Sequence, residues 1–120
     1  MSERNKFQEL SMRRKQAHAK LLAHKSKVYE GFLAMESAAY SDGALAKKYK
    51  ELIAVGISVV KDCESCMQWH IEQAAVSGAS YEEIFEAIEV AIEMGGGLAT
   101  VSARFALEVM DDIGLKPNRE

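Results

Sequence analysis

Proline is almost missing from this chain: the one copy, Pro117, stands three residues from the end, so nothing in the body breaks a long helix. Long hydrophobic runs are missing too. None approaches the ~18 residues that a membrane-spanning helix requires, and no membrane association is expected. No segment sustains apolar–polar alternation of period two, which excludes a sheet as the organising element. The opening stretch "MSERNKFQELSMRRKQ" contains no apolar core of a secretory signal, so a cytoplasmic address is expected. Cysteine is confined to Cys63 and Cys66. In a reducing compartment such a pair is rarely a structural staple, and a loop this short would constrain little.

What remains is a helix-forming, ordinary globular composition. The 48% of apolar residues in 120 can build a core without covalent help. The reading is all-α, a single-domain helical bundle of about five to six helices. Charge divides unevenly. Residues 1–27 carry eight Lys or Arg against two Glu, a surplus of six; with a net charge of −3 overall, the remainder carries −9. Phe7 is the only aromatic residue in the basic leader, which leaves no platform for stacking bases, and the acidic remainder would repel phosphate. Nucleic-acid binding is therefore not expected. The leader reads as a solvated helical extension over 1–27, suited to docking on the acidic body of a neighbouring copy. The main helical domain follows over 28–115, with a short tail over 116–120.

Turn signals separate the helices. One is expected from Asn5 to about Lys27, with Phe7, Leu10, Met12, Ala17, Leu21 and Leu22 at helical spacing. "KVYEGFLAMESAAY" continues with an apolar face through Val28, Phe32, Leu33, Met35 and Ala39, and "SDG" at 41–43 is a break. A central helix should span about Leu45 to Val60. Asp62 is the expected N-cap of a helix over Cys63–Ser77, which Gly78 ends. Ser80-Tyr81-Glu82-Glu83 reads as a capping box for a helix with Ile84, Ile88, Ala91 and Ile92 on its buried stripe. Gly95–Gly97 either ends that helix or permits close backbone packing, and a last helix runs from about Leu98 to Ile113.

The chemistry concentrates in "CESCMQWH". If Cys63 starts a helix, Cys63, Cys66 and His70 stand at i, i+3 and i+7 and form one stripe of two thiols and an imidazole. A helix N-terminus favours a thiolate, and an adjacent imidazole can take the thiol proton. Glu51 opens the mostly apolar run "ELIAVGISVV", so it sits either at the solvent boundary or against a buried partner. In an antiparallel helix pair it could reach His70, orient the ring and favour its protonated form. The bland alternatives are two small buried thiols, a surface Glu51, and Met67 and Trp69 as packing residues; His18 and His24 read as solvated. Haem attachment fails because Met67 stands where C-x-x-C-H needs histidine. Structural zinc lacks a second knuckle, and a thioredoxin-type site lacks its strand. No residues are assigned to a metal or a cofactor. A redox-active dithiol on a helical scaffold is left, with either cysteine open as first nucleophile.

Glu51, eleven residues, then Cys63-x-x-Cys66-x-x-x-His70 resembles the signature of the alkylhydroperoxidase D-like proteins of the carboxymuconolactone decarboxylase superfamily. The flanks are similar as well, and the resemblance covers about residues 28–113. It implies an alkylhydroperoxidase D-like all-α fold, a homo-oligomer (trimer or hexamer), and an antioxidant role through thiol-dependent reduction of hydroperoxides. Cys66 would be the peroxide-attacking thiol, Cys63 the resolving one, and His70 with Glu51 the proton relay. An external dithiol, lipoyl-bearing or thioredoxin-like, would regenerate the enzyme. Such proteins often carry a histidine directly before the second cysteine, where this chain has Ser65. The decarboxylase branch shares the fold but typically lacks the CxxC pair. A lyase acting on a carboxylated lactone, with His70 as general base, and a non-enzymatic thiol sensor are the competing readings.

Overall fold

The computed structural model describes residues 5–118; the extreme ends of the leader and of the tail lie outside the described residues. Six α-helices account for the regular structure, and no strand occurs among the described residues: α1 (Lys6–Ala23), α2 (Lys27–Ala39), α3 (Lys47–Val60), α4 (Glu64–Val76), α5 (Tyr81–Gly95) and α6 (Gly97–Asp112). They fall into two compact units divided after Ser41.

The first unit is the α1–α2 hairpin. Asn5 caps α1 through a reciprocal capping box with Gln8, and Ser26 caps α2 by accepting from the Tyr29 amide. The expected single helix to Lys27 instead stops at Ala23, because Lys25 takes a left-handed conformation (φ 54°) that turns the chain. His18, read from sequence as solvated, is corrected here: its Nδ1 is hydrogen-bonded to the Tyr29 hydroxyl, eleven residues away on α2. The apolar face read on α2 is present, but no α2 residue is buried; Val28 is 85% exposed.

The second unit is the helical body. Helix α3 lies between α4 and α5, and α6 packs on all three. Val55, Val59, Met67, Ile71, Ile84, Ile88, Val109 and Met110 form its core, on the faces that the sequence periodicity marks. The Ser80–Glu83 capping box opens α5 as expected. Glu83 also meets Lys48 of α3 at 3.0 Å. The Ser80 backbone N–H first, and the Lys48 ammonium second, hold the Glu83 carboxyl below its ordinary range, while Glu83 raises the ammonium's.

Both readings of the glycine run hold. Gly96 (φ 71°, ψ −149°) makes a corner that side chains do not tolerate, and a Cβ on Gly95 would lie 2.7 Å from that of Ala99. Helices α5 and α6 therefore follow each other with a single residue between them. No helix is long and apolar enough to cross a membrane, among the described residues.

Candidate functional site

Helix α3 carries Glu51 and α4 carries Cys66 and His70, and the two helices form the tightest antiparallel pair in the body. Their connection is short because one residue serves both. The amide of Asp62 donates to the carbonyl of Val59 (3.1 Å) and the amide of Cys63 to that of Ser58 (3.0 Å), the two bonds of a Schellman stop. Asp62 is its left-handed residue (φ 54°). Cys63 then acts as the N-cap of α4, its Sγ accepting the Cys66 amide at 3.2 Å. This corrects the expectation that Asp62 caps α4 and that Cys63 begins it. The physical reason is that α3 runs to Val60 and its Schellman geometry consumes Asp62, which leaves the sulfur as the cap acceptor.

Cys63 and Cys66 are joined in a disulfide, with Cα atoms 5.2 Å apart. Because Cys63 lies outside the helix proper, the bond rather than helical periodicity brings its sulfur to the Cys66 side. Cys66 is exposed and Cys63 half-buried. One turn further along α4, at i+4 from Cys66, stands His70. Its Nδ1 is 2.7 Å from Glu51 Oε1. A carboxylate can only accept, so Nδ1 carries the proton and Nε2 becomes the nitrogen for exchange with a thiol.

Glu51 is 2% exposed, which overrules the surface reading. A buried carboxylate is costly unless its oxygens are occupied. Oε1 has His70, and Oε2 has the Lys47 ammonium at 2.7 Å. Lys47 also reaches Gln73 Oε1 of α4 at 3.3 Å, so it ties α3 to α4 on the same side as Glu51. Its own amide donates to Asp42 Oδ1 (2.7 Å), replacing the side-chain cap that Ala46 cannot supply. Lys47 does not stand out in the sequence. Its signal was the i,i+4 spacing to Glu51 in "KKYKE", which also describes countless solvated pairs. The charges at the site are thus one carboxylate and one ammonium, with the imidazole bonded to the carboxylate and one turn along α4 from Cys66. Met67 of α4 is fully buried and serves packing, as expected.

Residues 26–109 match the Carboxymuconolactone decarboxylase family. An uncharacterized protein of the cox locus of Paracoccus denitrificans is 44% identical over 84 residues, 70% of this chain and 76% of that protein. The crystal structure of an apo carboxymuconolactone decarboxylase family protein from Legionella pneumophila superposes with a TM-score of 0.86 at 34% identity, covering 91% of this chain and 97% of the other. A family member from Thermotoga maritima, suggested to take part in an antioxidative response, gives 0.70 at 33% identity over 73% of this chain and 91% of its own.

The two-sided grip on Glu51 has a measurable consequence. Lys47→Met should cost about 1–3 kcal/mol, the lower end because the ammonium is partly solvated. Combined with Glu51→Gln it should cost clearly less than the two single losses together, since no buried charge is then left half-paired. Strictly additive losses in chemical denaturation would show that the pair is not coupled.

Proposed function

The chain belongs to the carboxymuconolactone decarboxylase family, and within it we propose that this protein is a thiol-dependent peroxidase that cycles through the Cys63–Cys66 disulfide. The observation that carries this reading is an exposed cysteine, bonded to a half-buried helix-capping one, a single turn before a histidine anchored on a buried carboxylate. The family contains enzymes of more than one chemistry. A dithiol serves no purpose in lactone decarboxylation, whereas a peroxidase cycle that passes through an internal disulfide uses both sulfurs.

In the proposed cycle the Cys66 thiolate attacks the terminal oxygen of a hydroperoxide. The O–O bond breaks, the alkoxide takes a proton from His70, and Cys66 becomes a sulfenic acid. Sγ of Cys63 then displaces hydroxide from Cys66, which leaves as water with the proton that Cys63 releases, and the disulfide forms. An external dithiol, lipoyl-bearing or thioredoxin-like, attacks the exposed Cys66 sulfur. Cys63 departs as a thiolate stabilised by the Cys66 N–H at the start of α4, and the donor's second thiol completes the exchange. Per turn, one hydroperoxide and one dithiol become one alcohol, one water and one disulfide. Glu51 holds the Nδ1 proton in place throughout, and Lys47 balances the carboxylate's charge. An antioxidant role for this chain agrees with the one suggested for the Thermotoga maritima relative.

We further propose that the working form is a homo-oligomer, trimer or hexamer. Support comes from the outer face of α3 and α5, where Ile53, Ile57, Val90 and Met94 are 51–73% exposed along an apolar groove with Gly56 at its floor. Sedimentation velocity at micromolar concentration should give a single multimeric species, and a stable monomer would contradict it.

Catalysis is tested with the cysteine variants. Cys66→Ser should abolish dithiol-driven peroxide consumption, and Cys63→Ser should permit one turnover that stops at a sulfenic acid or a mixed disulfide. Undiminished turnover in Cys66→Ser would overturn the assignment. Activity of the doubly substituted protein on a carboxylated lactone would point to the lyase.

A further inference from the structure

Three helices of the body end in the same stop, and one of them uses the wrong residue. Gly78 ends α4 and Gly114 ends α6 with left-handed φ angles of 98° and 80°, each followed by the same long backbone bond, from Ala79 to Ala74 and from Leu115 to Met110. At the end of α3 the equivalent position is Asp62. Glycine is the residue that this conformation favours; aspartate tolerates it, and here its side chain is also engaged.

That side chain accepts a 2.7 Å hydrogen bond at Oδ1 from Ser102 Oγ, forty residues away on α6. Ser102 is buried, at 2% exposure, and its hydroxyl has one proton to give. The carbonyl of Leu98, one turn back on α6, lies 3.4 Å from the same oxygen. Asp62 therefore wins the proton, yet the hydroxyl has a local acceptor to fall back on. The residue directly after Asp62 is Cys63, whose sulfur must stay at the start of α4 to meet Cys66.

We propose that Asp62 and Ser102 are a positioning pair that fixes Cys63 as the cap of α4 and thereby holds the two thiols ready to close into a disulfide. The tether ties the α3–α4 corner to α6, so Cys63 cannot swing outward once reduced. This rests on the dithiol reading of the site, but not on any particular oxidant. In the closure reaction the two thiols give up two electrons and two protons, and one glutathione disulfide becomes two glutathione thiols.

The pair separates into charge and tether. Ser102→Ala keeps the Asp62 charge and loses the tether. Asp62→Asn loses the charge but keeps an acceptor oxygen and a residue that tolerates the left-handed conformation. Asp62→Gly loses the tether while removing the backbone strain. Each protein is equilibrated in glutathione redox buffers, quenched in acid, and its disulfide fraction read by alkylation and mass, alongside its melting temperature. Ser102→Ala and Asp62→Gly should each lower the effective concentration of the two thiols by about tenfold, the size of one lost hydrogen bond. Asp62→Asn should retain it, and Asp62→Gly should melt no lower than the parent. Wild-type closure in Ser102→Ala, or a loss in Asp62→Asn as large as in Asp62→Gly, would overturn the proposal. Because no peroxide enters this measurement, a failed peroxidase assay leaves its outcome intact.

Discussion

A carboxylate buried between two helices governs the second unit. Glu51 faces α4 from within an apolar helix, and nothing in a hydrocarbon core can solvate it. It is stable there only because His70 and Lys47 occupy its two oxygens. That requirement sets the register of α3 against α4, since a shift by one residue on either helix would strand the charge. It also fixes the Nδ1 proton of His70, which stands one turn along α4 from Cys66. The structural demand and the chemical one are met by the same three side chains.

From that anchor the gradient of exposure along the site acquires a purpose. Glu51 is buried, His70 nearly so, Cys63 half-buried and Cys66 open to solvent. A proton on the imidazole can thus be delivered near the surface while its counter-charge stays in a low-dielectric interior, where the interaction is stronger. In the proposed cycle the accessible sulfur, Cys66, is the one that meets two different reagents in turn. Cys63, the leaving thiolate of that proposed cycle, accepts the Cys66 N–H at the start of α4.

Much of this was legible in the sequence. The α5 capping box, the helix stops at Gly78 and Gly114, and the E…CxxCxxxH spacing depend on neighbours within a few turns, and local chemistry specifies them. The contact between Glu51 and His70 could be anticipated because a short connection forces α3 and α4 side by side. What the sequence hid was long-range or shared. Asp62 looks like an N-cap until α3 is seen to use it as its stop. Ser102 is one serine among many until the fold sets it beside the corner. Lys47 is one of three lysines in four residues, and only burial of its partner distinguishes it. His18 found Tyr29 because a turn at Lys25 folded α1 and α2 into a hairpin, which periodicity alone did not reveal.

The proposed relay between carboxylate, imidazole and thiol is tested most directly by the pH dependence of alkylation at reduced Cys66, read by peptide mass, in the parent and in Glu51→Gln. Glutamine preserves the shape but cannot hold the imidazole by a charged bond, and it leaves the Lys47 ammonium uncompensated beside it. The thiolate should then form only at higher pH, and reactivity near neutrality should fall about tenfold or more. Superimposable profiles would contradict the relay and remove Glu51 from the chemistry.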